Sequence, residues 1–176
     1  MRILPILALS LTCLTVVAHP LASQDDRGYV VKVGDPMPAF ELTDLAGTTY
    51  TNASVAGRVV VLQFTASWCG VCRQEMPELE REVHQRFKDR NFLLLAADFD
   101  ETAQAVRAFA EQTGITYPIA PDPNGDVFHS VAAPKSGVTR NVVIDESGTI
   151  RFLTRLYDPE EFARMVAAIE ALTSSD

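Results

Sequence analysis

The chain has 176 residues, 47% of them hydrophobic and 22% charged, with 9 Gly and 10 Pro. That is the profile of one compact domain able to bury a core without structural disulfides. Its 23 acidic against 15 basic residues give a formal charge of −8, the wrong sign for following phosphate backbones or anionic lipid, so no nucleic-acid partner is expected.

The chain opens on Met1-Arg2, runs through an apolar stretch from Ile3 to Ala18 and turns polar at His19. The run is shorter than the ~20 apolar residues that span a bilayer, and it ends on the small residues Val16-Val17-Ala18. It reads as a signal peptide over residues 1–18, followed by a linker over 19–33 and a single domain over 34–176. Cleavage after Ala18 makes that domain periplasmic or secreted; left uncleaved, the segment is a membrane anchor. Cleavage also removes Cys13. The two remaining cysteines both lie in Trp68-Cys69-Gly70-Val71-Cys72, a content consistent with an oxidising compartment.

Gly34 to Asn52 alternates around a Gly-containing turn and predicts a β-hairpin. Arg58 to Thr65 is an apolar, β-branched run suited to a strand covered on both faces, and the two cysteines follow it. Cys72, Met76, Leu79, Val83 and Phe87 then recur at steps of three and four, which predicts an amphipathic helix with Cys69 near its first turn and a kink at Pro77. Asn91 to Ala97 reads as a buried strand. Thr102 to Thr113 reads as a helix with Ala103, Val106, Phe109 and Ala110 inward and Gly114 as its stop. Tyr117 to Ala120 is a short edge strand, Asp122 to Gly125 a turn, and Asp126 to Ser130 a brief helix. Asn141 to Ile144 and Thr149 to Leu156 form an antiparallel pair around Glu146-Ser147-Gly148. Asp158-Pro159-Glu160-Glu161 opens a last helix with Phe162, Met165, Val166 and Ile169 on one face. This order is α/β and thioredoxin-like: a central mixed sheet flanked by helices, with an N-terminal β-hairpin extension.

That placement sets Cys69 at the end of a central strand and the start of a helix. Only the thiolate attacks a disulfide, and a free thiol with a pKa of about 8.5 is mostly protonated at neutral pH. A helix N-terminus stabilises the anion. Cys69 is therefore the expected nucleophile, and Cys72, one turn on and facing inward, the expected resolving thiol. A zinc site would want four ligands, and neither a second cysteine pair nor a ligand-like spacing of His84 and His129 supplies them. No metal and no cofactor beyond the Cys69–Cys72 pair is expected.

The segments Gly34-Asp35-Pro36-Met37-Pro38-Ala39-Phe40-Glu41-Leu42, Gly57 to Phe64, and Trp68-Cys69-Gly70-Val71-Cys72-Arg73-Gln74-Glu75-Met76-Pro77-Glu78-Leu79 resemble the TlpA/ResA branch of thioredoxin-like proteins within the redoxin superfamily. The resemblance runs from about Gly34 to the C-terminus, and the block from Cys69 to Leu79 is its most specific part. It implies a thiol–disulfide oxidoreductase acting on protein thiols and disulfides, leaning towards a reductant fed by a membrane electron donor. It places Trp68 as the aromatic residue flanking the nucleophile, for packing or for substrate contact. Glu75 matches the acid beneath the dithiol; sharing a helix face with Cys72, it is placed to relay a proton, the alternative being simple exposure.

One position departs from the family. Where relatives carry a cis-proline facing the dithiol, this chain has Thr139 in Thr139-Arg140-Asn141-Val142-Val143-Ile144-Asp145. A cis bond before a non-proline residue costs about 2.5–4 kcal/mol, so the Val138–Thr139 bond is expected to be trans. The Thr139 hydroxyl is then expected either to hydrogen-bond a Cys69 thiolate or to leave the site open to a soft metal. Two alternative functions follow from particular residues: a peroxiredoxin-like peroxidase using Arg140, disfavoured because Ala66 stands three residues before Cys69, and a soft-metal binding or delivery protein adding Met76 or His129 to the cysteines.

Overall fold

The computed structural model describes residues 27–174. A five-stranded mixed sheet in the order β5-β4-β3-β6-β7 forms the centre. β3 (Val59–Thr65) is buried at every position, as its β-branched composition demands. It runs parallel to β4 (Phe92–Phe99) and antiparallel to β6 (Arg140–Ile144). Outside these lie β5 (Ile119–Asp122), parallel to β4, and β7 (Ile150–Arg155), antiparallel to β6. The separate hairpin of β1 (Glu41–Thr43) and β2 (Thr49–Thr51) hangs on the β5 edge through the Leu45 N–H to Ile119 carbonyl bond.

α1 (Gly70–Glu78) follows β3 and continues through a π-helical stretch, Leu79–His84, into α2 (Gln85–Phe87). Pro77 cannot donate to the preceding turn, and the helix answers with a widened turn immediately after it rather than a break. Cys72, Met76, Leu79, Val83 and Phe87 are all fully buried, the stripe that the spacing predicted. α3 (Ala103–Thr113) is capped by the Thr102 hydroxyl and closed by Gly114 in the left-handed region. Val106 and Phe109 face the core, but Ala103 is exposed, because the cap at Thr102 sets the first turn outside the layer. α4 (Asp126–Val131) packs on the opposite face of the sheet, where Phe128 meets Phe64 at 5.7 Å. α5 (Pro159–Thr173) starts on an Asp158 cap that accepts from the Glu161 N–H. Its Phe162, Met165, Val166 and Ile169 are buried, and Glu170 reaches Arg86 at 2.6 Å beside α2. The expected signal peptide and cleavage site lie outside the described residues; among the latter, no helix is long and apolar enough to cross a membrane.

Gly125 at the start of α4 holds φ +68°, and a Cβ there would stand 2.1 Å from the Phe99 ring. That ring packs on Phe128 at 4.7 Å. A left-handed backbone and an overpacked contact are together worth about 2–4 kcal/mol, so Gly125→Ala is expected to lower unfolding stability by that amount, read from the urea midpoint of the oxidised protein.

Candidate functional site

β3 delivers the chain to the turn Ala66-Ser67-Trp68, and Cys69 becomes the N-cap of α1, with its N–H bonded to the Ala66 carbonyl at 3.1 Å. The cap position is the one at which a side chain receives the unpaired N–H groups of a helix start. The Cys69 Sγ accepts the Cys72 N–H at 3.1 Å. Cys69 and Cys72 form a disulfide with a Cα–Cα distance of 5.3 Å. Cys69 keeps 6% exposure whereas Cys72 has none, so only the first sulfur is open to another molecule. Trp68 is 64% exposed; it projects from the site instead of packing beneath it.

Two polar clamps hold this turn. Arg73 donates from Nε and Nη2 to the Ser67 carbonyl at 3.1 and 2.7 Å and lies 4.9 Å from the Phe109 ring, joining the turn to α3. On the other side Glu101 accepts both the N–H and the hydroxyl of Ser67 at 2.5 Å. Behind Glu101, Asp98 is fully buried and receives no N–H or O–H from the described residues. Burial, reinforced by the neighbouring Glu101, pushes its carboxyl up to about 8. At neutral pH Asp98 is thus a protonated acid able to donate to Glu101.

Glu75 sits on the β6 side of the same helix, 1% exposed. Its Oε2 accepts from the Thr139 hydroxyl at 2.6 Å and its Oε1 from Asn141 Nδ2 at 2.7 Å. Asn141 also reaches the Thr154 hydroxyl at 2.9 Å. Gln63, opposite Asn141 across the β3–β6 pair, accepts from the buried Tyr117 hydroxyl at 2.9 Å. Burial pushes Glu75 up to about 7, while the bonds from Thr139 and Asn141 oppose that rise. The alternative of a solvent-exposed Glu75 does not hold.

Thr139 behaves differently from expectation in two respects. The Val138–Thr139 bond is cis, and its neighbours account for the geometry: the fully buried Thr139 gives its hydroxyl to Glu75, and its carbonyl accepts from the Leu156 N–H at 3.1 Å. Because Thr139 Oγ1 donates to Glu75, it is not the Cys69 hydrogen-bond donor that the sequence suggested. Arg140, the residue behind the peroxidase alternative, points to the face of β6 away from Thr139 and Asn141. It pairs with Phe64 and donates to the carbonyls of Gly137 and Arg27. For the metal alternative, the Met76 sulfur accepts from Thr65 and His129 packs between Phe99 and Phe128 on the α4 face. Among the described residues no group of three or more His, Cys, Asp or Glu side chains could hold an ion.

Sequence reasoning missed Gln63, Asp98, Glu101, Ser67 and Asn141 as parts of the site. The signal was a polar residue inside a strand otherwise apolar on both faces: Gln63 in β3, Asp98 in β4 and Asn141 in β6 are all fully buried. Such positions demand partners: Asn141 finds Glu75 and Thr154, Gln63 finds Tyr117, and Asp98 has, among the described residues, only the neighbouring Glu101 to turn to.

The Redoxin family model matches residues 32–171. Thiol-disulfide oxidoreductase ResA of Bacillus thuringiensis is 30% identical over 129 residues, covering 70% of this chain and 73% of that protein. ResA of Geobacillus kaustophilus is 30% identical over 141 residues, covering 80% and 79%. A solution structure from Bacteroides thetaiotaomicron, assigned as a protein disulfide isomerase, superposes with a TM-score of 0.81 at 47% identity, over 84% of this chain and 94% of that one. A crystal structure from Chlorobium tepidum, assigned as thiol:disulfide interchange protein DsbE, gives 0.71 at 26% identity over 81% and 99%. With a strand-to-helix cysteine pair joined by a disulfide and these relatives, the chain belongs to the Redoxin family and is a thiol–disulfide oxidoreductase of the ResA and DsbE type.

Proposed function

We propose that the protein is an extracytoplasmic reductant of protein disulfides, with Cys69 as nucleophile, Cys72 as resolving thiol, Glu75 as the proton acceptor for Cys72, and Trp68 as a contact for the substrate. The observation that carries the reading is the asymmetry of the pair: Cys69 open at a helix N-terminus, Cys72 sealed beneath it on the helix face that also bears the buried Glu75. The Cys69 thiolate attacks one sulfur of the substrate disulfide, and the other leaves as a thiolate that takes a proton from water. Cys72 passes its proton to the Glu75 carboxylate and attacks Cys69 Sγ. The second substrate thiolate leaves, and two electrons have moved from the dithiol to the substrate. A carboxyl titrating near neutral pH suits that proton transfer. The location is supported by the apolar run before Ala18 and by the confinement of the remaining cysteines to the Cys69–Cys72 pair. Electrons would return from a membrane donor, as the family resemblance implies.

The reduction potential of the pair, measured against glutathione or dithiothreitol, is the direct test. A value near −270 mV fits a reductase, and one near −120 mV would make the protein an oxidant instead. Cys72→Ser is expected to accumulate a mixed disulfide with a model substrate such as insulin, and Cys69→Ser to be inert.

Glu75→Gln is expected to slow resolution of the mixed disulfide by roughly 10²-fold, the lower end of general acid–base contributions, and to remove the rise in rate through about pH 7 where Glu75 ionises. A stability measurement checks the same carboxyl. Its folded value, about 7, lies above the ordinary 4.5, so the folded state holds the proton more tightly. That contribution is complete below about pH 4.5 and is lost as pH rises through 7, a change of roughly 3 kcal/mol. The difference between wild type and Glu75→Gln in unfolding free energy, from urea titrations, should shift by that amount between pH 4.5 and 8; Asp98 acts equally in both and cancels. Thr139→Val removes a bond to the carboxylate and is expected to raise the Glu75 titration further, followed by the carboxyl's infrared band or the pH profile of resolution.

A further inference from the structure

The face of β6 and β7 opposite Glu75 carries charge that protein disulfide exchange, as described above, does not use. Arg140 is fully buried, yet its donors meet only carbonyl oxygens, Gly137 at 3.0 Å and Arg27 at 2.9 Å, with the guanidinium 4.4 Å from the Tyr29 ring. Its Nη1 has no hydrogen-bond partner. Arg155 stands directly opposite Arg140 in the β6–β7 register, and its Nη1 reaches only the Val138 carbonyl, at 3.5 Å. Arg27 completes the group. The carboxylate beside it is Glu161, which takes Arg27 at 2.5 Å and the Arg155 N–H at 3.3 Å. Burial, and after it the Arg140 and Arg27 guanidiniums, lowers the affinity of Arg155 for its own proton. A desolvated guanidinium facing other cations is costly without a counter-charge, and the chain as a whole carries −8.

The location gives this charge a use. Arg155 lies against the Gly137–Val138 backbone, next to Thr139, whose hydroxyl bonds Glu75, and is itself only half-buried. The next residue, Leu156, is 44% exposed and bonds the Thr139 carbonyl through its N–H. Exposed Trp68 stands at the nucleophile. Trp68 and Leu156 are exposed large apolar side chains, and the Arg155 guanidinium, backed by Arg140 and Arg27, adds charge next to Leu156. Resting on the exchange function proposed above, we infer that Arg155 is a specificity-determining residue that receives a carboxylate of the substrate, so the preferred partners are protein disulfides flanked by Asp or Glu. Arg140 and Arg27 are positioning residues; they set the field and fix the 136–140 loop without touching the partner. The net negative charge makes the selection sharper, since away from this rim the surface repels acidic chains.

Three disulfide peptides of identical length, with Glu, Gln or Lys flanking one cysteine, are reduced by the full protein. Expected is a kcat/KM order of Glu above Gln above Lys, spanning about three- to tenfold from Glu to Lys at low salt, the scale of partly exposed ion pairs, and shrinking in 0.5 M salt. Arg155→Glu is expected to invert the order, and Arg155→Gln to level it while leaving the Cys69–Cys72 reduction potential in place. Equal rates for the three peptides with wild type, or an Arg155→Gln variant that slows all three by one common factor, overturns the inference while exchange itself stands. Reduction of none of the three overturns the exchange function and the specificity with it.

Discussion

The hydrogen bonds that Thr139 and Asn141 give to Glu75, at 2.6 and 2.7 Å, fasten the dithiol helix to the middle of the sheet. Elsewhere α1 meets the core through apolar contacts and the weak bond from the Thr65 hydroxyl to the Met76 sulfur, which resist separation but tolerate sliding. A carboxyl gripped by two donors, one just before β6 and one within it, tolerates neither. It fixes the rotation of α1, and with it the depth of Cys72 and the exposure of Cys69. Thr139 and Asn141 share a face because strand side chains alternate; Glu75 shares a face with Cys72 because helix neighbours recur after one turn. The site is the place where those two periodicities meet.

A second buried carboxyl lies across β3 from the first. β3 places Thr65 beside Asp98 on one flank and Gln63 beside Asn141 on the other, so the helix start rests between two acids. Their surroundings differ. Glu75 meets hydroxyl and amide donors, which keep it near neutrality at about 7. Asp98 is driven by burial, and then by the neighbouring acid Glu101, to about 8. Glu101 can accept two bonds from Ser67 only while it is ionised, and it lies close to Asp98 without repulsion only while Asp98 keeps its proton. Glu101 clamps the turn ahead of Cys69 through its two bonds from Ser67, with the buried Asp98 behind it.

Much of this was legible before any coordinates. The buried run of β3, the stripe from Cys72 to Phe87, the Asp158 cap and the closing hairpin all follow from residue types and spacings among neighbours close in sequence. The cysteine pair was legible because its chemistry is local too: two thiols one turn apart at a helix start. Ala103 and the Val138–Thr139 bond were misread for related reasons. Ala103 fits the apolar spacing, but the cap one residue earlier decides where the helix enters the layer. The peptide geometry at Thr139 is set by partners at Glu75 and Leu156, far away in sequence. Gln63, Asp98 and Asn141 were visible as polar interruptions in apolar strands. What they bond to depends on strand order, and one chain read alone does not reveal it.

Where the family resemblance implies a proline, which has no side-chain donor, Thr139 brings a hydroxyl, and the structure gives that hydroxyl to Glu75. The substitution therefore exchanges a rigid ring for an electrostatic tie to the buried acid. The next residue points the other way. Arg140 places its charge on the far face of the strand, against Tyr29 and the 136–140 loop. Three consecutive residues thus divide two tasks by alternation alone: Thr139 and Asn141 adjust the carboxyl beneath the dithiol, and Arg140 holds positive charge behind the rim where a substrate would arrive. A one-residue slip of β6 would bury the arginine against Glu75 and turn both donors to the opposite face. The polarity of the site therefore rests on the register of β6 against β3.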